Sequence, residues 1–318
     1  MISSYPVPSP QVAILGAAAM DWMACVKEMP PKDGIVYADQ YIPMPGGSGG
    51  NVAVGVVRLG HGVRFMGVLG GDESGQKLLR EFEEAGVETS AICIKPDERS
   101  ASCFIAIDEH GDRFIFSLGG AALYEKPEEI RSDWLAGVQV LFITDAYSEV
   151  ATAAMSSLDP KARVVFNPGG LMASAGEAYL EPFFRRADVL ISSKIEAEAM
   201  SGASLVEKAV HALARRGPGV VVVTLGEEGA LILDHGKIDR VPAFRVEKVV
   251  DTTGAGDAFS SGLITGMLEG SSWTEAARLG CAVAAIKIGQ LGARGGLPNR
   301  HQVQEVMNGI NLSNEVMK

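Results

Sequence analysis

The sequence is short of basic residues, and that shortage bears on its partners. Its 318 residues contain 28 Lys and Arg against 39 Asp and Glu, a net charge of −11, and they include no Lys/Arg-rich block. Nucleic acids and anionic membranes are therefore not expected partners. An anionic ligand would have to be attracted by local hydrogen-bond donors or by a metal ion.

Cysteine, histidine and long apolar runs are also scarce. The four cysteines are scattered without paired spacing, so we expect free thiols in a reducing compartment and a cytoplasmic protein. The five histidines lack metal-ligand spacing, which argues against zinc sites and hydrolase triads. No apolar run approaches the roughly 18 residues that a membrane span needs. Residues 1–10 have no apolar signal region and are expected to form a loose tail.

Glycine is abundant, and it separates alternating strand and helix patterns. Short apolar runs that end near glycine are typical of buried parallel strands. Helical patterns that stop at glycine lie between them. These alternations predict an α/β fold with core strands at 11–16, 63–67, 138–144, 163–167, 188–192 and 219–225, and a hairpin formed by 229–233 and 237–241.

Three β-rich runs interrupt this alternation. They are Ile35–Ile42, Ala101–Ile107 and Arg113–Leu118, and the last two are joined by a turn at 108–112. We expect a small separate sheet that acts as a lid, with lid segments at about 17–45 and 99–121 inserted in a single domain of residues 11–318. Such a sheet would expose an apolar face, which predicts a homodimer formed partly through it.

The motif Asp251-Thr252-Thr253-Gly254-Ala255-Gly256-Asp257 follows an apolar run and opens a helical pattern. Glycine lets the backbone turn sharply and gathers N–H groups at a helix N-terminus, where an anion is favoured. A carboxylate beside bound phosphate costs energy unless it has a task. Asp257 could accept a proton from an attacking hydroxyl group; the alternative is a helix N-cap.

Further regions contain candidate ligand-binding residues. Gly46-Gly47-Ser48-Gly49-Gly50 precedes Asn51 and lacks the Gly-Lys-Ser/Thr ending of a P-loop; the Asn51 amide suits a sugar hydroxyl. Asp21 follows the first strand, and its alternative interpretation is an exposed loop acid. Other candidates follow core strands, where open α/β sheets bind ligands: Thr224, Gly226, Ser193 and Glu196, the last with a solvated helix start as its alternative.

Together these pieces resemble the ribokinase-like (PfkB) carbohydrate kinases over about residues 11–307. The resemblance rests on Gly46-Gly47 with Asn51, on Arg58-Leu59-Gly60, on Gly70-Gly71-Asp72 with Gly75, and on the motif 251–259. It implies a doubly wound, mostly parallel sheet with helices on both faces and a small β lid. It also implies phosphorylation of a sugar or nucleoside hydroxyl by ATP and Mg²⁺.

The resemblance further assigns roles to residues. By it, Asp257 is the base, and Gly254, Ala255 and Gly256 form an anion hole. Asp21, Gly46, Gly47 and Asn51 hold the acceptor, Thr224 and Gly226 contact the nucleotide, and Glu196 orders Mg²⁺ through water. Asp251 and Thr253, with carbonyls near Ala293, lie where many relatives hold a monovalent cation such as K⁺. Ser193 stands where many relatives have Asn, so metal handling is expected to differ.

We therefore expect an ATP-dependent sugar kinase. A nucleoside kinase of the same family is the first alternative, disfavoured by the 6% aromatic content, because nucleosides favour stacking partners. A catalytically silent ligand sensor on the same scaffold is less expected because Asp257 and both glycines are retained. A dinucleotide-binding oxidoreductase lacks its strand–GxGxxG–helix unit.

Overall fold

The computed structural model describes residues 9–110 and 113–309. Its strands are β1 Val12–Leu15, β2 Ala19–Cys25, β3 Gln40–Gly46, β4 Val63–Gly70, β5 Ile92–Lys95, β6 Ser102–Ile107, β7 Arg113–Ser117, β8 Val140–Ile143, β9 Arg163–Phe166, β10 Val189–Ser193, β11 Val220–Thr224, β12 Ala230–Asp234 and β13 Lys237–Val241. Its α-helices are α1 Ser48–Arg58, α2 Glu73–Ala85, α3 Ser148–Ser156, α4 Gly169–Ala173, α5 Glu177–Arg186, α6 Lys194–Ser201, α7 Val206–Ala214, α8 Ala255–Leu268, α9 Trp273–Lys287 and α10 Arg300–Met307.

A large sheet of nine strands forms the centre of the molecule, in the order β13-β12-β11-β10-β9-β8-β1-β4-β5. Every neighbouring pair is parallel except β11–β12 and β12–β13, which are antiparallel. The predicted mostly parallel sheet and its terminal hairpin are confirmed. Because β1 lies between β8 and β4, the strand order reverses there, at the kind of switch point where such sheets bind ligands.

Alternate side chains of each central strand enter two different cores. Val12 and Ile14 pack in one cluster with residues of α1, α2, α8 and α9. Ala13 and Leu15 pack in the other with residues of α3, α5 and α7. A strand buried on both faces must be apolar throughout, which explains sequences such as Val220–Val223. Helices thus cover both faces, as expected.

A separate sheet of four strands has the order β3-β2-β6-β7. The expected antiparallel pairing of β6 with β7 is present; Gly111 and Asp112 of the predicted turn lie outside the described residues. The predicted strand at 35–42 is shifted to β3, Gln40–Gly46. Pro43 and Pro45 argue against a strand, but β3 lies at the edge of this sheet beside β2, and an edge strand tolerates proline.

Strand β2 was not predicted, and it changes the environment of Asp21. The sequence suggests a loop here, whereas Ala19–Cys25 pairs with β3 on one side and β6 on the other. Its pattern shows no clear alternation because both faces are largely buried. Of the expected N-terminal tail, residues 1–8 lie outside the described residues. None of the helices in 9–110 and 113–309 has the length and apolarity to cross a bilayer.

Candidate active site

The motif at 251–257 forms the turn that begins α8. Gly254 is the N-cap of this helix and has φ of 75°, a left-handed conformation that favours glycine. Asp257 is therefore the third residue of the helix, and the alternative that Asp257 is its N-cap is wrong. The first N–H groups of a helix lack internal acceptors and point to the N-terminus. Of the three amides expected in an anion hole, that of Ala255 instead donates to the Thr252 carbonyl at 3.1 Å, which leaves those of Gly254 and Gly256 for that role.

Asp257 lies in a network that joins three distant parts of the chain. Asn51 Nδ2 in α1 donates to Asp257 Oδ2 at 2.8 Å. Arg294 Nε donates to Asn51 Oδ1 at 2.9 Å, and Arg294 Nη2 donates to the Gly46 carbonyl at 2.7 Å. The amide of Asn51 is thus fixed by a donor on its oxygen side, so that its NH₂ group must face the carboxylate.

Burial raises the pKa of Asp257 to about 6, although the hydrogen bond from Asn51 and the charge of Arg294 act in the opposite direction. A carboxyl group with such a pKa is mostly ionised at neutral pH and is still a useful proton acceptor. Arg294 is itself 5% exposed and stacks over the Phe82 ring at 4.9 Å. The sequence reasoning missed Arg294 because its partners are more than 240 positions away.

Asp21 lies close to this network, on strand β2 of the small sheet. It is buried rather than an exposed loop acid, and burial raises its pKa to about 7, with Asp257 and Asp251 acting in the same direction against Arg294. A Cβ atom on Gly46 would lie 2.0 Å from Asp21 Oδ2. Gly46 is therefore glycine so that this carboxylate can fit. The structure thus brings Asp21, Gly46, Asn51 and Asp257 together.

Asp145 is a further acid that the sequence did not single out. It follows β8, and its φ of 46° is uncommon outside glycine. Burial raises its pKa to about 6, and repulsion from Asp257 and Glu196 adds to the shift. Strained backbone of this kind clusters at functional sites. The sequence did offer one signal for Asp145: it lies just beyond the end of a core strand, much as Ser193 and Thr224 lie at the ends of theirs.

Ser193 and Glu196 form a capping box at the start of α6. Glu196 Oε2 accepts from the Ser193 N–H at 2.7 Å, and Ser193 Oγ accepts from the Glu196 N–H at 3.3 Å. The carboxyl groups of Asp257 and Glu196 lie close enough to Asp145 for their charges to repel it. No cluster of three or more His, Cys, Asp or Glu side chains with metal-binding geometry occurs in 9–110 and 113–309. Oxygen donors of this kind nevertheless suit Mg²⁺, which is held by one or two carboxylates, water and phosphate.

A cleft of about 680 Å³ opens on the other side of the turn. Thr224 and Gly226 line it, as do Ala255 and Gly256 of the turn, so the cleft reaches the start of α8. Phe244, Val246, Val249 and Ile288 supply apolar walls. The volume lies in the range of ligand sites, which combine apolar walls with a few polar groups.

Asp251 and Thr253 lie next to two cationic side chains. Arg113 of β7 donates to Thr253 Oγ1 at 2.9 Å and to Thr252 Oγ1 at 3.3 Å, which connects the small sheet to the turn. The Lys287 ammonium is fully buried and donates to the Asp251 carbonyl at 2.8 Å. Burial lowers the pKa of Lys287 to about 8, with Asp251 acting in the opposite direction.

Known proteins resemble this chain over nearly its whole length. The family model described as pfkB family carbohydrate kinase matches residues 9–300. A ribokinase of Haemophilus influenzae is 27% identical over 93% of this chain and 98% of its own length. An uncharacterized sugar kinase of Archaeoglobus fulgidus is 33% identical over 77% of this chain and 98% of its own length. The crystal structure of a ribokinase from Thermotoga maritima has a TM-score of 0.84 and 27% identity, and covers 94% of this chain and 100% of its own.

Proposed function

Because the chain belongs to the pfkB family of carbohydrate kinases, we propose that it transfers the γ-phosphate of ATP to a hydroxyl group of a sugar, with Asp257 as general base. The family and its relatives establish the coarser statement: the protein is a phosphotransferase of the ribokinase family that uses a hydroxyl group of a carbohydrate or nucleoside as acceptor. The observation that carries the finer proposal is the position of Asp257. Its carboxylate meets Asn51 on one side, and its helix begins at the edge of the large cleft.

The acceptor is proposed to bind between the small sheet and α1. There the Asp21 carboxylate and the Asn51 amide can bond neighbouring hydroxyl groups, while Gly46 and Gly47 allow close approach. The nucleotide is proposed to occupy the cleft lined by Thr224 and Gly226, with its phosphates directed to the start of α8. This arrangement would bring the hydroxyl group and the γ-phosphorus together at the N-terminus of α8, beside Asp257.

In the proposed step, Asp257 accepts the proton of the attacking hydroxyl group as its oxygen bonds to the γ-phosphorus. The bond from the γ-phosphorus to the β,γ-bridging oxygen breaks, and its electrons leave with ADP. The amides of Gly254 and Gly256, with the N-terminus of α8, are assigned to stabilise the transferring group. Glu196 would hold Mg²⁺ through water, and Asp145 is a second carboxylate that could bind the metal or its water. The metal would neutralise phosphate charge when bound.

The small sheet is proposed to act as a lid. Asp21 on β2 and Arg113 on β7 both reach the site from this sheet, so its closure would order acceptor contacts and the turn together. Exclusion of water is the expected benefit, because water in place of the acceptor would hydrolyse ATP.

A sugar is favoured over a nucleoside by the arrangement of the aromatic residues. Phe104, Phe114 and Phe116 share one face of the small sheet, because their positions alternate with Cys103, Ile105 and Ile115. Asp21 pairs in register with Cys103, and therefore points to the opposite face. The aromatic rings of β6 and β7 are thus directed away from the acceptor site, where they could not stack on a base.

The same aromatic face supports the proposal of a homodimer. Phe114 and Phe116 are 57% and 56% exposed. Large exposed apolar patches usually mark an interface, so this face is expected to be covered by a partner. A twofold contact between two copies would cover identical faces. Sedimentation should give a dimer for the wild type and a monomer for Phe116→Glu, with Tyr147→Glu as an exposed aromatic control. A wild-type monomer at micromolar concentration would overturn this part.

The kinase proposal is tested by ADP release with a panel of pentoses, hexoses, sugar acids and nucleosides. We expect acceptor-dependent release with at least one sugar and little with nucleosides. Release that depends only on nucleosides would favour the nucleoside kinase, and no acceptor-dependent release would favour the silent sensor. The four free thiols support a cytoplasmic setting for this activity.

A further inference from the structure

Lys287 is the last residue of α9, and its side chain is directed into the protein interior. It is 0% exposed, and its Nζ atom donates to the Asp251 carbonyl at 2.8 Å. The same Nζ atom lies 4.0 Å from Asp251 Oδ2. A charged group is costly to bury unless it is paired and hydrogen-bonded, so this lysine is present for a reason other than packing.

Asp251 links that ammonium to the turn at the start of α8. Its Oδ1 atom accepts from the Thr253 N–H at 2.8 Å, and its Oδ2 atom accepts from the Gly292 N–H at 2.8 Å. The carboxylate therefore holds two loops together, 251–254 and 289–296. Gly254 packs against Ala293 of the second loop, since a Cβ atom on Gly254 would lie 3.0 Å from it.

The family resemblance implies a monovalent cation between these two loops. A bound cation there would need the oxygen atoms of Asp251, Thr253 and carbonyls near Ala293. In this chain the Lys287 ammonium already lies against Asp251, whose carbonyl accepts a hydrogen bond from it. Like charges in a buried site repel strongly. The residues present therefore do not fit K⁺ beside Lys287.

We propose that Lys287 is a positioning residue whose ammonium supplies the positive charge that relatives obtain from a monovalent cation, so that this kinase works without K⁺. The charge acts through Asp251, which orients Thr253 and hence the Gly254 turn. The inference rests on the proposed kinase activity. It concerns how the anion hole is held, and Lys287 touches no reacting atom.

The direct test compares ADP release in potassium, sodium and choline chloride at equal ionic strength. With saturating sugar and MgATP, the wild type should have the same kcat in the three salts within about twofold. Lys287→Ala removes the charge and leaves a space beside the Asp251 oxygens. We expect its kcat to fall tenfold or more in choline chloride with little change in the sugar KM, and to recover with K⁺ or NH₄⁺. Lys208→Ala, at an exposed position on α7, serves as the control.

Thermal unfolding gives a second readout that needs no activity. The Tm of the wild type should be equal in KCl and in choline chloride, whereas that of Lys287→Ala should be higher in KCl. Activation of the wild type several-fold by K⁺ would overturn the inference, as would full activity of Lys287→Ala in choline chloride. If Lys287→Ala does not fold, the wild-type comparison decides. If no acceptor stimulates ADP release, the proposed function fails, and the melting comparison still tests Lys287.

Discussion

Asn51 Nδ2 lies 2.8 Å from Asp257 Oδ2, although the two residues are 206 positions apart in the chain. The contact joins the start of α1 to the start of α8, so the two glycine loops meet at one carboxylate. Arg294 fixes the other end of the amide. In the proposed mechanism, acceptor binding and proton acceptance are therefore coupled through the Asn51 side chain.

Activity should fall on the acidic side of pH 6. The base must be ionised, and the pKa of Asp257 is about 6, so kcat at saturating sugar, where Asp21 is already bonded to the acceptor, should lose about tenfold per pH unit well below that value. Arg294 lowers this pKa, and so Arg294→Met should move the acidic limb to higher pH. Arg294→Lys keeps the charge and should leave the limb in place while kcat falls. A pH–rate profile checks both variants, with exposed Arg185→Met as control; an unmoved limb in Arg294→Met would contradict the coupling.

Gly46→Ala should weaken binding of the sugar. The added Cβ atom would lie 2.0 Å from Asp21 Oδ2, so the carboxylate must move out of its position. We expect the sugar KM to rise at least tenfold while MgATP affinity stays close to the wild-type value. Gly170→Ala is the matched control because its Cβ atom would meet no atom within 4 Å. Unchanged sugar kinetics in Gly46→Ala would show that Asp21 does not bind the acceptor.

Asp21→Asn should weaken binding of the sugar and raise the stability of the ligand-free protein. The folded pKa of Asp21 is about 7, above the usual value of 3.8, so the folded state binds the extra proton between these values. Stability of the wild type should therefore fall as pH rises through this range. Asn cannot ionise, and the variant should have a higher Tm at pH 8, with the difference much reduced at pH 5.

Calorimetry at the two pH values, together with sugar and MgATP titrations, checks this prediction. Asp97→Asn, at an exposed position, should change neither Tm nor sugar affinity. Equal loss of sugar and nucleotide affinity in Asp21→Asn would point instead to a folding defect.

Local patterns predicted the large sheet and the turn at 251–257, because both depend on neighbouring residues. Apolar runs that end in glycine define the parallel strands, and two glycines next to an acid define the start of α8. The strand β2 escaped prediction because burial on both faces removes the alternation on which strand prediction relies.

Residues that act through distant partners could not be found in the same way. Arg294 and Asn51 are 243 positions apart, and nothing near either residue indicates the other. Lys287 did leave a signal. It follows Gly280 and Val283 at helical spacing on the buried face of α9, where a lysine is out of place. The structure alone supplies its partner, the Asp251 carbonyl.

The central claim is that Asp257 takes the proton, and Asp257→Asn tests it most directly. Asn keeps the size of the side chain and most of its hydrogen bonding but cannot accept the proton. The variant should fold and bind MgATP and sugar, while kcat under conditions where chemistry limits the rate falls by about 10²–10⁴. Turnover of the sugar at the wild-type rate under those conditions would contradict the mechanism.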